Sequence, residues 1–286
     1  RRVPILLRYS IWSAAAETAL AGTGRLGVVF HNITPAAFLV RANPAVAALC
    51  ELGRAKLPTV AARADVLIAD SGFNADELRA TGGTDVQVVP LLMDLAGGGH
   101  MPATGSDHVL YVGRLAPNKR VEDCIDTAVL LRRRRPGTRL HIVGSGDAFR
   151  TYERALREHT RVNRATEYVE FHGRVDDHTR NRLYAQAGAY LSLSEHEGFC
   201  VPVVEAMDRG LPVVARDAGA VRETAGGGAL LVEGRNPELA AAALEVAISD
   251  SRVRAGLAAN ARARLAELDR SVVEPQIVGV VRGLLA

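Results

Sequence analysis

Short β-branched runs recur along this chain with helical patterns between them, and no other feature restricts its fold as much. In the second half the runs fall at 108–112, 139–143, 168–171, 189–193, 212–215 and 229–232, and the intervening stretches carry apolar residues at helical spacing. Strands that alternate with helices in this way build βαβ units and a parallel sheet. Six of them make one complete doubly wound domain. Two further helices are expected at 237–248 and 251–267, where Ala, Leu and Arg form an amphipathic pattern. The first part is thinner, with strands expected at 4–7, 26–30, 66–69 and 86–89 and a helix at 44–62. It reads as the back half of a similar domain, without the Gly-rich βα turn that would open it.

A length of 286 residues exceeds what one core usually reaches and also favours two domains. The stretch LLMDLAGGGHMPATGSD, residues 91–107, is rich in Gly and small polar residues and is the best linker candidate. The expected layout is 1–94 for the first domain, 95–107 for the linker and 108–270 for the second domain. Residues 271–286 form a closing helix that packs back on the first domain. The sequence opens at Arg1 and not at Met, so it is expected to lack its start.

Composition excludes several classes of protein. With 48% apolar and 23% charged residues the chain is globular. A net charge of +3 and 5% aromatics give no concentrated basic stripe with stacking rings, so no nucleic-acid partner is expected. Cys50, Cys124 and Cys200 are widely spaced and form no CxxC. Neither a disulfide framework nor a cysteine zinc site is expected, and a reducing cytoplasm is the expected compartment. No apolar run approaches the roughly 18 residues that cross a bilayer, and no secretory signal is visible. The run Arg132 to Arg135 closes an expected helix just before Pro136 and Gly137, where basic charge suits the negative end of the helix dipole. Beside that reading stands contact with an anionic membrane face or a phosphorylated acceptor.

The chemistry begins after the strand at 108–112, in VGRLAPNKR. Arg114 and Lys119 follow the carboxyl end of a strand, where ligands bind in parallel α/β sheets. Lys56 and Lys119 are the only lysines in an Arg-dominated chain, which singles Lys119 out. An arginine fork and a mobile lysine charge suit a diphosphate and offset the charge that grows on a departing phosphate. From spacing alone, two ordinary surface cations fit as well. A later segment, SEHEGFCVPVVEAM, follows the strand at 189–193 and places Pro202 as the first residue of a helix. Backbone N–H groups of Gly198, Phe199, Cys200 and Val201 would then point out of the helix start, which attracts phosphate or sugar oxygens. Glu197 lies just before that helix and Glu205 about one turn into it, so both face one cleft as acceptors for sugar hydroxyls. A glycosidase pair is disfavoured, because two carboxylates from one short segment do not easily straddle a glycosidic bond.

Together these segments resemble the retaining glycosyltransferases of family 4, whose EX7E motif is seen here from Glu197 to Glu205. FHGRV, LPVVARDAGAVRET and VVFHNITP are similar to that family's segments too, and the likeness runs from Val28 to Glu267. The resemblance implies the α/β GT-B fold: two Rossmann-like doubly wound domains facing across a cleft, here with the first incomplete. It implies a hexosyltransferase moving sugar from a nucleotide-diphosphate sugar to a hydroxyl acceptor, with retention and without metal. No cofactor is implied beyond the nucleotide-sugar co-substrate. Arg114 and Lys119 would hold the diphosphate, Glu205 the ribose, Glu197 the donor sugar, and the Gly198 to Val201 backbone sugar and phosphate. Val175 would meet the base through its main chain, and His31 would reach the donor sugar from the first domain. His196, beside Glu197, would support it.

Two departures bear on this reading. The family's glycine-rich loop in the first domain is missing, which leaves lipid-linked, polysaccharide and natural-product acceptors all open, with peripheral membrane contact open too. No two Asp residues stand two apart, so the DxD metal motif is absent and no metal ligand is assigned. Three alternatives are weighed against transfer. A phosphorylase would need a lysine for pyridoxal phosphate, and neither lysine suits. A GT-B sugar-nucleotide epimerase would turn over its donor with no acceptor. A nucleotide-sugar-binding module without transferase activity would have little reason to retain cations for a leaving group.

Overall fold

A computed structural model describes residues 3–95 and 105–285; positions 96–104, most of the candidate linker, lie outside the described residues. The chain divides into two compact units. One comprises Arg1–Asp94, Glu197–Phe199 and Ala266–Ala286, and the other Leu95–His196 and Cys200–Leu265. Among the described residues no helix is long and apolar enough to cross a membrane.

The first unit runs β1 (Ile5–Tyr9), α1 (Ala14–Ala21), β2 (Leu26–Phe30), α2 (Ala36–Leu39), α3 (Pro44–Arg63), β3 (Val66–Ala69), α4 (Gly72–Ala80) and β4 (Gln87–Val88). Its four strands are parallel and lie in chain order. Local chemistry starts the helices. Ser13, Asn43 and Ser71 each accept a hydrogen bond from a backbone N–H of the first turn of α1, α3 and α4. Strand β1 continues past the expected 4–7, because β2 pairs with it residue for residue through Tyr9 opposite Phe30. The Tyr9 hydroxyl anchors that end by donating to the Gly53 carbonyl at 2.7 Å.

The second unit continues with β5 (His108–Val112), α5 (Val121–Arg134), β6 (Arg139–Val143), α6 (Arg150–Val162), β7 (Val169–Gly173), α7 (Asp177–Gln186) and β8 (Ala189–Ser192). Then come α8 (Val201–Asp208), β9 (Val213–Arg216), α9 (Val221–Ala225), β10 (Ala229–Val232), α10 (Pro237–Ser249) and α11 (Ser251–Glu267). The last helix, α12 (Arg270–Leu285), belongs to the first unit, where Val273 and Val280 are buried with Ile68 and Val89.

Six parallel strands in the order β7-β6-β5-β8-β9-β10 form the second sheet. In chain order this is 3-2-1-4-5-6, the dinucleotide-binding arrangement, and its winding reverses between β5 and β8. In doubly wound sheets, ligands bind outside the carboxyl ends of the strands at such a reversal. On one face, α5 presents Val121, Cys124, Ile125, Ala128 and Leu131 at helical spacing to Val109, Tyr111, Leu140 and Ile142, with Leu244 and Ile248 of α10 alongside. Each fully buried Val, Leu or Ile side chain there stabilises the fold by about 1.5–3 kcal/mol. Strand alternation sends Arg139, His141, Glu170 and His172 to the other face. Burial pushes the His141 ring down to about 4, so it is neutral at neutral pH.

The strand expected at 168–171 runs instead to Gly173. A register shift between Ile142 and Val143 brings Val143 opposite Gly173 and extends the pairing. Helix α8 starts at Val201, so Pro202 is its second residue and not its first; the lost N–H costs nothing there, since first-turn N–H groups have no partner within the helix. Three of the four arginines at 132–135 are engaged within the second unit. Arg132 donates to the Thr138 carbonyl at 2.8 Å and lies 4.4 Å over the Tyr168 ring. Arg134 meets Glu245 at 3.0 Å, and Arg135 donates to Asp107 and Ser249.

Candidate functional site

In the second unit the loop after β5 is fixed before any side chain reaches a ligand. Gly113 N–H donates to the Val143 carbonyl at 2.9 Å, Leu115 N–H to Ser145 at 3.0 Å, and Gly144 N–H to Gly173 at 2.8 Å. These bonds stitch together the three loops that leave β5, β6 and β7. Gly144 has φ 134°, and a Cβ there would lie 1.8 Å from the Gly113 oxygen, so only glycine permits the approach. Arg114 stands on this braced loop with its side chain exposed. Among the described residues its guanidinium has no hydrogen-bond or ion-pair partner, while its carbonyl accepts from the Tyr111 hydroxyl at 3.0 Å. Lys119 closes a 3₁₀ turn, Pro117–Lys119. Asn118 ties that turn to the loop after β8, donating to the His196 carbonyl at 3.2 Å and accepting from Glu195 N–H at 2.8 Å.

Beneath this turn lies an ionic cluster that the sequence did not reveal. Asp123, in the first turn of α5, is buried and accepts from Arg216 at 2.6 Å and from Arg235 at 2.8 Å. Burial pushes its carboxyl upward, but the hydrogen bonds from Arg235 and Arg216 more than offset this and hold it below the usual aspartate range. Glu195 joins the same cluster by accepting from Arg120 at 2.6 Å and lying 3.5 Å from Arg216. Arg120 occupies the left-handed region at φ 48°, where it links the 3₁₀ turn to α5. Position 195 is thereby held by charge on one side and by Asn118 on the other.

Glu205 lies in α8, about one turn from its start. Its Oε2 accepts from the Tyr184 hydroxyl at 3.0 Å. Burial, and then the Glu205 charge, raise the Tyr184 hydroxyl well above its ordinary value, so it stays protonated and donates. Arg209 covers the Tyr184 ring at 4.5 Å and bonds Asn181 at 2.9 Å, which fixes that donor in place. Oε1 of Glu205 makes no hydrogen bond among the described residues. Cys200, at φ 72°, precedes α8 and turns the chain into it. Val175 follows β7 by two residues and is half-buried.

The first unit holds the remaining expected residues. His31 Nε2 lies 3.1 Å from Arg8 Nε, which can only donate, so Nε2 accepts and the proton sits on Nδ1. Nδ1–H then donates to Asp70 at 3.0 Å. Asp70 also accepts from Asn74, which accepts from Asn32 at 2.6 Å. Asn32 donates to Glu77 at 3.1 Å as well, and Arg54 pairs with Glu77. Gly198 sits against this network. Its carbonyl accepts from Ser71 Oγ at 2.7 Å, and a Cβ would lie 2.7 Å from the Asn32 Cβ. Glu197 beside it is buried, with 7% of its surface exposed.

Each unit thus gathers part of the expected set: His31, Glu197, Gly198 and Phe199 in the first, Arg114, Lys119, Val175, Cys200, Val201 and Glu205 in the second. Arg8, Asp70 and Tyr184 were missed. Asp70 carried one usable signal, since it follows β3 directly and precedes the Ser71 cap. Arg8 and Tyr184 carried none, because their partners lie 23 and 21 residues away.

Comparison with known proteins places the chain in a family. Residues 100–264, more than half of the chain, match the family described as Glycosyl transferases group 1. The chain is 38% identical to a glycogen synthase of Mycobacterium tuberculosis over 122 residues, 43% of this chain and 28% of that protein. It is 34% identical to a phosphatidyl-myo-inositol mannosyltransferase of Mycolicibacterium smegmatis over 178 residues, 60% of this chain and 44% of the relative. The chain therefore spans less than half the length of these curated relatives. Among solved structures, Anabaena HepE in complex with UDP and glucose superposes with a TM-score of 0.77 at 21% identity, covering 94% of this chain and 74% of HepE. That likeness gives the chain the GT-B fold. This chain belongs to the glycosyl transferases group 1 family.

Proposed function

We propose that the chain carries out retaining transfer of a hexosyl group from a nucleoside-diphosphate sugar to a hydroxyl acceptor. The observation that carries the reading is Arg114, an exposed guanidinium without a protein partner among the described residues, on a braced loop beside the reversal point of a doubly wound sheet. A departing diphosphate gathers negative charge in the transition state, and a preformed cation lowers the barrier without having to reorganise. Arg114 would grip phosphate oxygens bidentately and Lys119 would add a point charge. The two take the role that a divalent cation has elsewhere, so the reaction is proposed to need no metal and no cofactor.

Glu205 would accept a ribose hydroxyl at Oε1 while Tyr184 holds Oε2. Val175 would meet the base through its main chain. Glu197 and the Gly198 to Val201 backbone would bind donor-sugar and phosphate oxygens, and His31 would accept a sugar hydroxyl at Nε2 in place of the Arg8 N–H. HepE, with UDP and glucose bound on the same fold, supports a donor of this chemistry. For retention, the acceptor oxygen bonds to the anomeric carbon on the face from which the diphosphate leaves, and a leaving phosphate oxygen takes the acceptor proton. The three free, buried cysteines suit a reducing cytoplasm, where we place the reaction.

The test is a transfer assay with nucleotide-hexose donors and lipid-linked, polysaccharide and natural-product acceptors, read by NMR at the anomeric centre. A product with the donor's configuration is expected, and Glu197→Ala should abolish transfer while nucleotide affinity holds. An inverted product, or donor epimerisation with no acceptor, would contradict the reading.

A further inference from the structure

The second sheet carries a cluster that sugar transfer leaves unused. On the face of β6 and β7 opposite the α5 core, His141 Nδ1 lies 3.0 Å from His172 Nε2 and 3.5 Å from Glu170 Oε2, and His172 Nε2 lies 3.8 Å from that same oxygen. Ligand atoms at zinc bond lengths of about 2.0–2.2 Å on a tetrahedron stand roughly 3.3–3.5 Å apart. A triangle with edges of 3.0, 3.5 and 3.8 Å is already the size of one face of that tetrahedron.

We propose that His141, Glu170 and His172 bind a divalent ion of the zinc class, at a site separate from the donor-binding residues. Two imidazole nitrogens and one carboxylate oxygen form an open donor set that leaves a fourth position for water or another ligand. The atoms behind the ligands agree. His141 Nε2 stands 2.9 Å from His108 Nδ1, so coordination through Nδ1 leaves the proton on Nε2 to donate to His108. Glu170 uses Oε2 toward the ion while Oε1 accepts from Arg139 Nε at 3.0 Å. Such outer partners orient metal ligands and fix their tautomers. In the competing arrangement the three imidazoles form only a hydrogen-bonded row, which leaves Glu170 Oε2 beside two rings that are already paired. An ion would pin edge strand β7 to β6 two residues before Arg174 and three before Val175, in the segment proposed to meet the nucleotide base. This site goes beyond the transferase reading and stands or falls independently of it.

The experiment is calorimetric titration of the untagged full chain, stripped with EDTA, with zinc chloride. Cobalt absorption reports the coordination geometry. One zinc per chain and tetrahedral cobalt bands are expected. His172→Ala, at a half-buried position, should weaken zinc binding at least tenfold, and His108→Ala should weaken it about 10–100-fold, the range for outer partners. His178→Ala, at an exposed position on α7, should leave it unchanged. Glu170→Gln keeps the side-chain size and gives a second reading, with melting temperatures in EDTA checking that each variant folds. No uptake of zinc by the native chain, or native affinity retained in both His172→Ala and Glu170→Gln, overturns the proposal.

Discussion

Arg114 and Arg216 stand at the carboxyl edge of the same sheet, one just past β5 and the other closing β9, and the protein uses them in opposite ways. Arg216 is 4% exposed and spends its charge on Asp123, which Arg235 also neutralises. Arg114 is exposed and has no protein partner among the described residues. A buried guanidinium with a paired carboxylate has little field left for a ligand, whereas an exposed one on a rigid loop keeps its field and its five donors. Charge at a strand end is thus divided between holding the loops and, in the proposed reading, meeting an anion.

Breaking the buried half should have the largest effect. Asp123→Ala strands the Arg216 charge in the interior and should cost about 3–5 kcal/mol in urea unfolding. The same pair predicts a pH dependence. The unfolded chain protonates Asp123 at its ordinary value, near 3.9, and the folded chain only at a lower pH. Stability from this group is full above the ordinary value and is lost as pH falls through the depressed one. Asp123→Asn should remove that part of the acid slope.

Arg114→Ala sharpens the other half. It should lower nucleoside-diphosphate affinity about 10–100-fold, the loss of roughly 1.5–3 kcal/mol of charge-assisted hydrogen bonding, while stability stays within about 0.5 kcal/mol. Equal losses of stability from Arg114→Ala and Asp123→Ala would erase the distinction. Tyr184→Phe should cost about 0.5–1.5 kcal/mol of stability by removing the donor to Glu205. Glu245→Ala, which frees the exposed Arg134, should cost no more than about 1 kcal/mol, as a surface pair would.

The comparison also shows what the sequence made legible. Strands 108–112 and 139–143 and helix 251–267 were readable to the residue, because their apolar pattern is local. Arg114 and Lys119 were readable as cations past a strand, since that too is local. That Arg114 is unpaired among the described residues while Arg216 is spent was not, because Asp123 lies 93 residues from Arg216 and 112 from Arg235. The His31 tautomer depends on Arg8 and Asp70, which only the sheet of the first unit brings to it. The imidazole cluster leaves no trace in local spacing, because His141 and His172 are 31 residues apart and meet through strand pairing. Length and register, not composition, decide these contacts.

The measurement that tests the central claim most directly is a thermal-shift panel of the native chain and Arg114→Ala with UDP, GDP, ADP, TDP and CDP, since a ligand that binds only the folded state raises its melting temperature. Stabilisation by one of the five, lost in Arg114→Ala, is the predicted result and identifies the donor base. Equal stabilisation of both proteins, or none of either, would contradict the assignment of Arg114 to the diphosphate.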